Sequence, residues 1–196
     1  MAVYQQSYPN SCGASCLLCA AFELGVPTIP QNPAYLLLAA AATPLALTQA
    51  CETQLYQVTS NNPGNINPAG WGYSMPSDIV ACARFLGLKA WAVAYGTWSV
   101  TGLKIGYSDE LAALRAMNAL HEPGGSKSFY KPLGHQRELK ILLGRGRHNF
   151  GGLHYVMVRP DGTVMEPGAG ANYPDVAQAK TAVSMHGTGL SVFVQA

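Results

Sequence analysis

The hydrophobic period changes once along this chain, and that change bounds the fold. Up to about residue 125 most apolar residues recur at helical spacing, apart from one alternating run, LKAWAVAYG, at 88–96. From Leu139 onward the period is two, through LKILLG, LHYVMV, a turn at RPDGT, VMEPG and LSVFVQA. Pro160-Asp161-Gly162 between two apolar runs is a strong hairpin signal. Helices first and antiparallel strands after is the α+β pattern. No internal repeat or linker interrupts it, so residues 1–196 read as a single domain.

The helical half divides at its punctuation. Ser11 predicts a cap for a helix over 12–24, with Leu17, Ala20, Ala21 and Leu24 on its apolar face and Gly25 and Pro27 to stop it. A second helical region is predicted over 33–58, broken near Pro44. Residues 60–76, dense in Asn, Gly and Pro, predict a long irregular loop carrying Trp71 to the border of a cleft. Pro76 then opens a helix that Gly87 closes. Ser108 caps the next, DELAALRAMNALHEPGG, with Asp109 and Glu110 in its first turn and Pro123 at its end.

Composition excludes several classes. Charged residues make up 11% of the chain, less than half the roughly 25% of an average soluble domain. The net charge of +2 is too small for a general nucleic-acid or membrane-surface binder. So few charges leave a weakly polar surface, as on a domain covered by an inhibitor or immunity protein or by a parent chain. The longest apolar run, AYLLLAAAA at 34–42, is half a membrane span. The N-terminus lacks the basic start and apolar run of a signal peptide. The expected location is the cytoplasm, or a target cell reached without a classical signal. Cysteines at 12, 16, 19, 51 and 82 are odd in number, with three inside eight residues. That is no disulfide framework, and reduced thiols are the reading.

Cys12 stands at the start of the first helix, where the dipole and the free N–H groups favour a thiolate. Gly13 leaves backbone room for a substrate carbonyl. His154 opens the strand HYVMV on rigid backbone, as a base for a cysteine nucleophile must. The hairpin through Asp161-Gly162 brings Glu166 back to the level of His154, where a carboxylate can fix the imidazole tautomer. Gln6 is close enough to Cys12 in sequence to donate, with the Cys12 N–H, to an oxyanion. His148 is the second choice of base.

Gln6, the Cys12-Gly13 helix start, the His154-Tyr155-Val156 strand and Glu166-Pro167 together resemble the papain-like cysteine peptidases. The nearest branch is the bacteriocin-leader, or double-glycine, peptidases. The resemblance covers roughly 4–26 and 139–168. It implies a papain-like α+β fold, no cofactor, a protein or peptide substrate, Cys12 as nucleophile, His154 as base, Gln6 in the oxyanion hole and the acid before Pro167 as orienter. That branch has Asp where this chain has Glu166, so Asp161 and Asn172 are substitutes for the orienter. It also implies cleavage after a small residue, glycine first, with Gly13, Ala14, Ser15 and Gly151-Gly152 able to close tightly around the chain.

Three other readings use the same residues. A glutamine deamidase, a transglutaminase-like enzyme or a cell-wall amidase also passes through a thioester. A pseudoenzyme of the same fold would only bind. Cys12, Cys16 and Cys19 also spell the C-x3-C-x2-C of a radical S-adenosylmethionine iron–sulfur site, although GASCLLCAAF is strongly helical. The expected class is a bacterial effector or toxin. Six of the twelve basic residues lie between Lys127 and Arg147, a solvated face or a dock for an acidic partner.

Overall fold

The computed structural model describes residues 1–95, 108–123, 131–144 and 152–196. The order is α1 (Cys12–Glu23), β1 (Thr28–Ile29), β2 (Thr43–Pro44), α2 (Gln49–Thr59), α3 (Pro76–Phe85), β3 (Lys89–Ala94), α4 (Ser108–Ala116), β4 (Leu120–His121), β5 (Gln136–Gly144), β6 (Leu153–Val158), β7 (Val164–Glu166), β8 (Ala171–Tyr173), α5 (Val176–Ala182) and β9 (Met185–Gln195). Single 3₁₀ turns occupy Leu36–Leu38 and Pro68–Gly70. The α+β expectation holds.

The strands form a sheet in the order β4-β3-β9-β5-β6-β7-β8, antiparallel except where β3 runs parallel to β4. One face carries the main core. Leu139 and Ile141 of β5, Tyr155 and Met157 of β6 and Val192 and Val194 of β9 pack with Leu17, Leu18 and Ala21 of α1 and Leu55 of α2. The opposite face buries Leu142, Val156, Val158 and Val164 with Ala179 of α5. The period of two read from Leu139 onward is this alternation between faces.

Two helical expectations fail, for definite reasons. Of 33–58, only Gln49–Thr59 is α-helix. The run before it makes a single 3₁₀ turn at Leu36–Leu38 and ends at Pro44, which has no N–H to give a helix; its last residues, Thr43–Pro44, pair with Thr28–Ile29 as β2 with β1. The helix after Ser108 stops at Ala116, not Pro123. Asn118 turns left-handed at φ 49°, and the next residues join the sheet, with Ala92 N–H on Ala119 O at 2.6 Å. Strand β8 and helix α5 were not anticipated, although Asp175 caps α5 by accepting from Gln178 N–H at 2.8 Å and is a legible start signal.

Helix α1 begins and ends where expected, but Ser11 does not cap it with its side chain. Gly13 is required by packing: a Cβ there would lie 2.6 Å from Ser74 Cβ. The room beside Cys12 is thus taken up by the Trp71–Met75 segment. That segment is pinned from three sides, by Tyr56 Oη on Trp71 O at 2.9 Å, by Thr59 Oγ1 with Ser74 Oγ at 2.8 Å, and by Tyr155 Oη on Ser74 O at 3.2 Å. Trp71 is buried edge-on against Tyr56, and Trp91 stacks on Phe193.

Candidate active site

Cys12 and His154 meet where the N-terminus of α1 crosses the start of β6. The Cys12 side chain lies close enough to His154 to act on its ring. Its Nε2 lies 2.6 Å from Glu166 Oε1. The register explains the second contact. Met157 faces Met165 and Val158 faces Val164. Continued one residue beyond Met157, this puts Glu166 opposite Val156, diagonal to His154 and on the same side of the ladder.

The Glu166 carboxylate is almost fully buried, and its other bonds come from the turn that follows. Gly168 N–H donates to Oε1 at 2.6 Å and Ala169 N–H to Oε2 at 2.7 Å. A Cβ at position 168 would lie 2.9 Å from Oε1, so the turn needs glycine to close around the carboxylate. Burial pushes the Glu166 carboxyl up, but His154 and these two amides outweigh it and hold it below the ordinary range. Burial pulls His154 down, and the influence of Cys12 and Glu166 overcomes that, raising it to about 9. The outcome is a ring that favours its protonated form at neutral pH, held by Glu166 and close to Cys12.

Gln6 lies in the loop before α1. Its backbone N–H donates to Pro167 O at 2.8 Å, tying this loop to the turn around Glu166. Its side-chain Nε2 donates to Tyr8 O at 2.7 Å and to Pro9 O at 3.2 Å, while Oε1 is buried without a hydrogen-bond partner. The amide is thus held on loop carbonyls. Asp161 accepts from Thr163 at the exposed hairpin, and Asn172 accepts from Arg159 at 3.1 Å. Neither substitute for the orienter contacts His154 in this arrangement. His148 and Gly151 lie outside the described residues. A cavity of about 350 Å³ opens beside His154 and Glu166, lined by Tyr173, Val183 and Met185.

Cys16 and Cys19 are fully enclosed within α1, and burial raises both thiols, Cys19 to about 12. All five cysteines are free and buried. Among the described residues no group of three or more His, Cys, Asp or Glu side chains is placed to hold a metal ion. No described helix is long and apolar enough to cross a membrane. Of the basic cluster, Arg137 pairs with Glu23 at 2.6 Å and Lys140 with Glu138 at 2.5 Å, which removes two candidates from any docking face.

One carboxylate beside this site was missed. Glu52, fully enclosed at the first turn of α2, accepts from Ser11 Oγ at 2.6 Å, Ser15 Oγ at 2.8 Å, Ser7 N–H at 3.0 Å and Tyr4 Oη at 2.7 Å. The signal was present in the sequence: between Glu23 and Asp78 it is the sole Asp, Glu, Lys or Arg.

The family described as "Invasion plasmid antigen J, cysteine protease" matches residues 4–196. The chain belongs to this family of cysteine proteases. It is similar to "Cysteine protease IpaJ" of Shigella flexneri, 38% identical over 178 residues, which is 86% of this chain and 65% of that protein. The chain thus spans just under two thirds of that relative's length. No solved structure matches it.

Proposed function

We propose that the chain is a papain-like cysteine endopeptidase acting through a thioester. The observation that carries this reading is the line Cys12, His154, Glu166, with a helix N-terminus behind the thiol and a 2.6 Å bond behind the imidazole. With its proton already resting on His154, Cys12 attacks the scissile carbonyl. The oxyanion is met by the Cys12 N–H, with the Gln6 amide as second donor once it exchanges its longer bond, to Pro9 O, for the substrate. His154 protonates the leaving amine, then takes a proton from the water that hydrolyses the thioester. Glu166 keeps the ring oriented and stabilises its positive charge.

The bacterial effector reading is supported by the invasion-antigen description of the family, and the substrate is a protein of the compartment the enzyme reaches. Cleavage after a small residue, glycine first, is supported by the pinned Trp71–Met75 wall beside Gly13, which leaves little space to yield to bulk. Incubation with a peptide library and sequencing of the new termini tests this. New termini after glycine or another small residue are expected. A bulky residue at the cut overturns the specificity. A gain of about 1 Da on glutamine with no new terminus replaces the peptidase by a deamidase using the same thioester.

A further inference from the structure

We propose that Glu52 is a positioning residue for the oxyanion hole, an inference that rests on the reading of Cys12 as nucleophile. A buried carboxylate must be compensated by cations or by donors. No ion pair among the described residues involves Glu52. Its donors Tyr4, Ser7, Ser11 and Ser15 instead all come from the one segment that carries both Gln6 and Cys12.

Two consequences follow from that placement. Ser11 occupies the position before the helix, where a serine hydroxyl ordinarily folds over to accept from the N–H groups of the first turn. Here its oxygen lies 2.6 Å from Glu52 Oε1 and 2.9 Å from Tyr8 O, and no side chain caps α1. Glu52 thus fixes Ser11, whose peptide carries the Cys12 N–H, and leaves the first-turn N–H groups without a side-chain acceptor. Glu52 also grips Ser7 N–H and Ser11 Oγ, the two ends of the loop whose Tyr8 and Pro9 carbonyls hold the Gln6 amide. Both oxyanion donors are therefore set by one carboxylate that touches neither substrate nor thiol.

Glutamine is a poor replacement: its NH₂ must face either the Ser11 and Ser15 hydroxyls, which would have to turn and accept, or Tyr4 Oη and the Ser7 N–H, which cannot accept. The test separates chemistry that needs an oxyanion hole from chemistry that does not. Hydrolysis of p-nitrophenyl acetate passes through a tetrahedral oxyanion, whereas alkylation of Cys12 by iodoacetamide, followed by mass mapping, does not.

For Glu52→Gln we expect kcat on the ester to fall about 10²-fold, the effect of losing an oxyanion-hole donor. KM and the Cys12 alkylation rate stay within about threefold of wild type. Ser11→Ala, which keeps the carboxylate and cuts only the link to Cys12, should lower ester turnover about tenfold with alkylation unchanged, and it decides the matter if Glu52→Gln does not fold. A parallel fall in both reactions, or wild-type ester turnover in folded Ser11→Ala, overturns the proposal. Ester turnover in Cys12→Ala equal to wild type is a separate result and removes the nucleophile reading beneath it.

Discussion

At the scale of single residues, His154 and Glu166 set the site's pH dependence. His154 is raised from 6.5 to about 9, so protonation favours the folded, assembled pair. That contribution is complete below about 6.5 and is lost as pH rises through about 9. Glu166 is held low, so its contribution is present above the ordinary carboxylate range and fails as pH falls through the depressed value. Peptidase activity, which uses the imidazolium, should decline along an alkaline limb near 9 in a pH–rate profile. Glu166→Gln removes one raising influence, so the limb should move toward 6.5 and kcat fall by about 10²-fold or more, yet less than in His154→Ala. An unmoved limb in Glu166→Gln would place the orienter elsewhere. Cys12, His154 and Glu166 stand out in the sequence as candidates because each sits at a boundary, a helix start, a strand start or a strand end. Glu52 does not, because its partners are serines and a tyrosine that ordinary surface composition also supplies.

At the scale of elements, α1 is the piece on which the site depends. Its start is fixed from the Ser74 side by the close approach of Gly13, and Ser74 has no freedom to retreat while its hydroxyl is held by Thr59. Gly13→Ala should therefore destabilise the fold by about 1–3 kcal/mol, the usual effect of overpacking, read from denaturant unfolding, and should slow Cys12 chemistry by displacing the helix start. Wild-type stability would mean that the Trp71–Met75 wall yields easily. Long elements with one clear period, such as α1, α3, β5 and β6, were read correctly. The errors fell where tertiary pairing overrode local preference: the alanine-rich run before Pro44 became 3₁₀ turn and ladder, and the tail after Asn118 was captured by β3.

At the scale of the whole molecule, charge is distributed unevenly. Through residue 77 the chain carries two charged side chains, Glu52, fully buried, and Glu23, whose side chain is 9% exposed. Glu23, at the end of α1, binds Arg137 of β5 at 2.6 Å, Arg159 after β6 at 2.8 Å and Ala2 N–H at 2.8 Å. It joins the N-terminus, the nucleophile helix and the sheet. Glu23→Ala strands the buried Arg159 guanidinium and should lower stability by about 3 kcal/mol or more, measured by denaturant unfolding, whereas Arg115→Ala, in an exposed pair with Glu122, should change it by less than about 1 kcal/mol. The central claim is that one thiol of five performs the chemistry, helped by His154. Its most direct test is labelling with a thiol-directed peptide-amide mimic, with the adduct located by mass spectrometry. A single adduct on Cys12, absent from His154→Ala while that variant remains folded, is the predicted result; an adduct on Cys16 or Cys19, or undiminished peptidase activity in Cys12→Ala, would contradict it.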